Sequence, residues 1–279
     1  MTERMDHKIG TEAHPTVSMN EGSPLSRQHT VTLSNEQYER LFFQPAAPRR
    51  GDLAKRFGNP SLLGLIAFLI PYTSTILTLC QFSGAVPPYT LVGLSGDYYF
   101  LGAIAMNLAG LMEFVLGNTF PMAVFIIYGC HWGSLAYTQD PIHLTTSVFT
   151  TELGGATGAA YQSSQAFHNV TMCIVSFVLM IGTLRVNAFF ALTFFGLVML
   201  FAFIAAADFA APLAVDAAGL AHVEHLLKFA GGFGFIGLVC GWYLAILEVC
   251  EAVAIPCPLP VFDLGRYVFP PKSDPTKEA

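Results

Sequence analysis

Glu113 sits in Leu111-Met112-Glu113-Phe114-Val115, a lone carboxylate in an apolar run. In hydrocarbon such a group costs on the order of a few kcal/mol unless it is protonated, paired or wet. It is therefore expected to face a bundle interior. Two roles are open to it, a proton-coupling group or a member of a structural ion pair with Arg185. His131 follows Tyr128 by three residues, which puts both on one helical face, with Trp132 beside them. A mid-membrane imidazole can pass a proton, and a neutral His bonded to a neighbouring helix is the plainer alternative. Asn59 and Pro60 open another apolar run, where Asn suits a cap and Pro the first helical position. The unpaired N–H groups behind them form a positive pole at which an anion can bind. Hydroxyls of Thr73, Thr75, Tyr128 and Thr193 are available to orient a carboxylate. No Lys or Arg lies inside the apolar runs away from their ends, so no fixed cation can hold a naked carboxylate there. The chemistry favours a neutral acid, or an anion moving with a proton.

These residues need long helices to position them. Hydrophobic residues are 53% of the 279 positions and charged residues 11%, too few charges to cover a soluble surface of this size. Apolar segments run over about 61–83, 98–116, 119–137, 166–184, 188–207 and 229–250, each able to span about 30 Å of hydrocarbon at roughly 1.5 Å per residue. The fold class read from this is all-α and integral to the membrane, a six-transmembrane-helix bundle over 57–252. Gly117-Asn118 and Arg185-Val186-Asn187 leave room only for tight helical hairpins. Pro71 predicts a kink in the first span. Close helix contacts are expected at Gly110, Gly117 and Asn118, and at the Gly237-x-x-x-Gly241 pair, where small residues let backbones approach in lipid.

Residues 1–56 read as a polar, largely disordered cytosolic tail. Within it Ser34 and Gln37 form a capping box, with Leu33 stapled on Tyr38, and predict a short helix near 35–43. Residues 253–279 read as a second cytosolic tail. Of thirteen Lys and Arg, only Arg185 lies between Phe57 and Leu227. Arg49, Arg50, Lys55 and Arg56 hold the amino end inside, six crossings return Arg266, Lys272 and Lys277 to that side, and only Lys228 opposes the rule. Asn169-Val170-Thr171 is a sequon placed outside but close to the bilayer.

Other functions find less support. A net charge of −6 with no continuous basic strip argues against a nucleic-acid partner, and none is expected. Cys80, Cys130, Cys173, Cys240, Cys250 and Cys257 lack metal spacing and read as free thiols. His222 and His225 flank Glu224 without a third ligand, so no metal, cofactor or catalytic residue is assigned, and an enzyme is not expected.

Asn59-Pro60-Ser61-Leu62-Leu63-Gly64-Leu65 resembles the Asn-Pro-Ala-Pro-Leu-Gly-Leu signature of the acetate uptake transporter family, which includes bacterial succinate-acetate permeases and fungal acetate and ammonia-export proteins. Ala109-Gly110 with Glu113, then Gly117-Asn118-Thr119-Phe120 and Tyr128-Gly129 with Trp132, is similar to the family's second series at the same spacings. Phe189-Phe190-Ala191-Leu192-Thr193 extends the likeness. Leu62 replaces the family's second Pro, His131 replaces a common aromatic, and the stretch around Trp242 and Tyr243 aligns poorly. The resemblance implies a hexameric ring with a pathway in each protomer, narrowed by Phe68, Tyr128 and Leu192. It also implies a carboxylate site bordered by Asn59, Pro60, Leu63 and Gly64.

The expected function is proton-coupled uptake of short monocarboxylates, acetate first, then succinate or lactate, across the plasma membrane of a eukaryotic cell of fungal type. Glu113 and His131 are the coupling candidates. An ammonia or ammonium exporter and a non-transporting membrane sensor or scaffold are the alternatives.

Overall fold

With no water to bond the backbone, an apolar segment in a bilayer must satisfy its N–H and C=O groups within itself, and helices do so. The computed structural model describes residues 56–87, 89–149, 151–264 and 267–268. The expected helix near 35–43 and most of the basic tail residues lie outside the described residues. Among the described residues there is no strand, only a single antiparallel bridge between Asn187 and Asp263.

Six long helices form. Helix α1, Ser61–Leu79, begins where Asn59 Oδ1 accepts the Ser61 N–H at 3.0 Å. It stops short of the apolar run's end because Gln81 and Ser83 turn into the left-handed region. Helix α2, Ser95–Val115, contains a π-helical stretch, Tyr98–Ala105, that no sequence pattern announced. In it Gly102 meets Trp132, whose Cβ would lie 2.5 Å from a Cβ at Gly102. Gly117, at φ +79, makes the tight turn into α3, Thr119–Gln139. Helix α4, Ala159–Thr183, starts before the apolar run at Ala166. Helix α5, Ala188–Ala210, is capped by Asn187 Oδ1, which accepts from the Phe190 N–H at 2.7 Å. Helix α6, Ala217–Ala252, is 36 residues long and starts at an Asp216 cap, well before Phe229.

Five of these, α1, α2, α4, α5 and α6, are long and apolar enough to cross a membrane. Helix α3 has 21 residues, about 31 Å of helix at roughly 1.5 Å per residue. Its hydropathy is lowered by the polar residues it carries, His131 and Gln139 among them.

Helix α5 packs along α4 and α6, α6 along α1, and α1 and α2 along one another and α3. Glycine sets the closest approach. A Cβ at Gly196 would stand 2.9 Å from both the Gly237 nitrogen and the Phe233 carbonyl oxygen, and one at Gly237 would stand 3.0 Å from the Tyr72 hydroxyl. Gly196→Ala should push α5 from α6 and cost about 1–3 kcal/mol, the usual penalty of overpacking. An unchanged melting temperature in detergent would contradict this contact.

The expected second tail is folded back over its described part. Tyr243 donates to the Pro260 carbonyl at 2.7 Å, the Ala188 N–H donates to Phe262 at 3.0 Å, and the Leu264 N–H to Val186 at 3.3 Å. The segment after α6 thus straps the α4–α5 turn. On the early turns of α6, Lys228 donates to Glu224 at 2.7 Å, so this outlying cation is locally compensated. All six cysteines are free.

Candidate functional site

Phe68 on α1 and Tyr128 on α3 meet edge to face at 6.1 Å between ring centroids. Phe68 also stacks on Tyr72 at 4.8 Å and lies 6.4 Å from Trp132. Beside this contact is a cavity of about 30 Å³, walled by Leu65, Phe125, Phe190, Thr193, Phe194 and Leu197 together with Phe68 and Tyr128. That is room for one or two water-sized particles. No nitrogen or oxygen surfaces in its wall. Gly64 belongs to the same wall indirectly, since a Cβ there would lie 2.5 Å from the Phe125 ring. Gly241 lines the cavity and holds α6 against Leu69, while Gly110 lets α2 close on Ile126.

Two of the residues expected at the site lie elsewhere. Leu192 is 44% exposed and absent from the cavity wall. At about 100° per residue it points away from Phe190, Thr193, Phe194 and Leu197, which share the inward face. Leu63 is likewise 40% exposed, on the outside of α1. Asn59 is exposed at the end of α1 with its side chain engaged as the cap, and Pro60 is buried beside it.

The hydroxyls are less available than their residue types promise. Thr73 donates to Leu69, Thr75 to Pro71 and Thr193 to Phe189, each to the carbonyl four residues back, at 2.6 to 2.9 Å. Ser176 donates to Met172 at 2.6 Å, which leaves the Tyr128 hydroxyl to donate to Ser176 at 2.7 Å. All four expected carboxylate donors therefore already have acceptors. The one buried donor with no acceptor among the described residues is Trp132 Nε1, on the ring next to Phe68.

Glu113 is fully buried where α1, α2 and α3 meet. Ser61 Oγ donates to its Oε1 at 2.6 Å and Asn118 Nδ2 to its Oε2 at 2.5 Å. These two bonds go to neutral partners and not to the Arg185 guanidinium. The carboxylate instead ties the start of α1 to the α2–α3 turn, through two residues that were legible only as a helix start and a hairpin.

His131, 9% exposed, meets His168 of α4, with Nδ1 and Nε2 2.9 Å apart. His168 was missed because nothing in a single sequence pairs residues on two helices. Phe194 and Leu197 were missed because α5 is apolar all round; Thr193, the only hydroxyl residue in it, was the available marker of the inward face. The sequon residue Asn169 donates to Asp208 on α5 at 2.8 Å.

Comparison with known proteins agrees with this architecture. Residues 43–266 match the model of the GPR1/FUN34/yaaH family. Protein alcS of Aspergillus fumigatus is 30% identical over 266 residues, 94% of this chain and 95% of that protein. The succinate-acetate/proton symporter SatP of Escherichia coli K12 is 28% identical over 218 residues, 77% of this chain and 95% of its own length. The solved structure of the bacterial acetate channel SatP shares the fold at a TM-score of 0.55 and 24% identity, covering 74% of this chain and 99% of that one. By the extent of the first of these matches, the chain belongs to the GPR1/FUN34/yaaH family of acetate transporters and is an integral membrane protein, not an enzyme.

Proposed function

We propose that the protein carries short monocarboxylates, acetate first and succinate or lactate at lower rates, in step with a proton through the cavity beside Phe68 and Tyr128. The observation that supports this most is the all-carbon wall of that cavity. Moving a bare carboxylate into such a place costs far more than moving its neutral acid, because a fully desolvated ion loses tens of kcal/mol by Born solvation, whereas an uncharged polar group loses about 2–7. The solute therefore passes with its charge cancelled. The unpaired Trp132 N–H beside Phe68 suits a carbonyl oxygen, which a carboxylic acid has and ammonia lacks. The relative named as a succinate-acetate/proton symporter supports the same solute class and the coupling.

In this reading the chain crosses the plasma membrane six times, α3 included, with both termini in the cytosol. Protomers assemble as a homohexameric ring, each with its own pathway. The exposed apolar faces of α2 (Phe100, Ile104, Leu108) and α4 (Phe167, Ile174, Phe177) then meet lipid or a neighbouring subunit.

The test is radiolabelled acetate uptake into vesicles holding the purified protein, read as initial rates against protein-free vesicles because acetic acid itself crosses lipid. Uptake above that background, rising when the outside is made acidic and competed by lactate, is expected. Ammonium flux that acetate does not compete with points to the ammonia exporter instead. Retention of no flux of either kind points to a sensor or scaffold.

A further inference from the structure

Two imidazoles bridge α3 and α4 next to the constriction. His131 Nδ1 and His168 Nε2 lie 2.9 Å apart, with the ring planes 6° from parallel. At that distance one nitrogen carries a hydrogen and the other a lone pair. His131 is walled by Phe201, edge-on at 5.1 Å, and by Trp132 at 5.5 Å. It lies one helical turn from Tyr128, whose hydroxyl bonds Ser176 on the same α4. The α3–α4 seam is thus held by two polar bridges, with the imidazole pair a turn away from the Phe68–Tyr128 contact.

Near the pair, Tyr128 lies one turn back along α3, Asn169 next to His168 is bonded to Asp208 of α5, and Tyr98 of α2 stacks on Trp132. Asp208 is the carboxylate among these. No Lys or Arg lies in α3, α4 or α5. With no countercharge in contact, a lone proton on the buried pair is favoured by a carboxylate drawn up beside it, which then takes the proton and enters the apolar cavity as the neutral acid. Proton and carboxylate favour each other's presence, which is the thermodynamic content of coupling.

We propose that His131 and His168 together take up and pass on the proton that travels with the carboxylate, His168 being a coupling residue that works only through the pair. The bookkeeping closes without further reactants. Take His168 as the Nε2–H tautomer donating to His131 Nδ1, with His131 carrying its own hydrogen on Nε2. A proton adds to His168 Nδ1, the bridging hydrogen moves from His168 Nε2 to His131 Nδ1, and His131 Nε2 releases its proton to the carboxylate oxygen. One proton enters and one leaves, the solute becomes the neutral acid, and both rings end neutral with the bridging bond reversed. This assignment rests on the carrier reading above.

The test uses the full chain in vesicles with His131→Gln, His168→Gln and the double variant, since Gln keeps a hydrogen-bonding group but carries no titrating proton. Two rates are compared for each, acetate uptake driven by an inward proton gradient and acetate counterflow at equal pH. Each single variant should lose the gradient stimulation by about tenfold, the double no more than either single, while counterflow, slowed at neutral pH, should return to within about twofold of wild type when both sides are made acidic, where the solute arrives already as the neutral acid. Wild-type stimulation in His168→Gln and in the double variant overturns the proposal. So does a loss of both rates that acidic pH on both sides does not restore in monodisperse protein, which marks the pair as structural. His168 is the less buried partner, so it decides the matter if His131→Gln fails to fold. Wild-type uptake with no response to the gradient sinks the coupling and leaves the carrier standing, whereas absence of wild-type uptake sinks both.

Discussion

Glu113→Ala is expected to lower the stability of the bundle by about 3–5 kcal/mol, the range for removing one partner from a buried charged network. The carboxylate is fully buried, and its loss strands the Ser61 hydroxyl and the Asn118 amide where water cannot replace it. Those two residues begin α1 and close the α2–α3 turn, so the damage falls on the mutual placement of three helices. Glu113→Gln should cost much less, because Ser61 can reverse from donor to acceptor towards the new amide while Asn118 keeps the remaining oxygen. Thermal unfolding of the two variants in detergent makes the comparison. A Glu113→Ala protein that melts with the wild type would show that this network does not hold the helices. The same geometry argues for a structural role for Glu113. Glu113→Gln should retain gradient-driven acetate uptake, because its carboxylate is occupied by structural donors; loss of that response in a well-folded Gln variant would return Glu113 to the coupling step.

The sequence was informative wherever the bilayer imposed a composition and silent wherever two helices had to be related. Apolar runs located all six long helices, α3 included, and the Gly117-Asn118 hairpin followed from the shortness of the gap. The early start of α4 was hidden because Ala159 to Gln165 is polar and helical without being membrane-like. The early start of α6 left a mark that hydropathy ignores, the Asp216 side chain accepting from the Gly219 N–H at 2.7 Å. The π-helical stretch of α2 had no marker at all. At the site, Glu113 was legible as a buried carboxylate because an isolated acid in an apolar run has few other options, but its partners were not, since Ser61 is 52 positions away. The hydroxyls misled for a related reason. A Thr in a long helix finds the carbonyl one turn back before it finds a solute, and Thr73, Thr75 and Thr193 all do so.

Leu192 and Leu197 offer the sharpest contrast between an expectation from sequence and the geometry of α5. Leu197 is 3% exposed and lines the cavity, whereas Leu192 is 44% exposed on the opposite side of the helix. Leu197→Ala should enlarge the cavity and admit larger acids. Since a hydrophobic pocket discriminates by about 1–3 kcal/mol per methylene, or roughly 10–200-fold, the rate for lactate or succinate relative to acetate should rise by about tenfold or more. Phe68→Ala should widen selectivity further, at a stability cost of about 3–5 kcal/mol for losing a buried ring, because that ring packs on Tyr72 and Tyr128 together. Leu192→Ala should leave selectivity unchanged, and any fall in stability there should come from an assembly contact. Competition of labelled acetate uptake by unlabelled lactate and succinate measures all three variants on one scale. If Leu192→Ala relaxes selectivity while Leu197→Ala does not, solute passes along the other face of α5, and the cavity beside Phe68 and Tyr128 is a packing defect of the bundle, not its pathway.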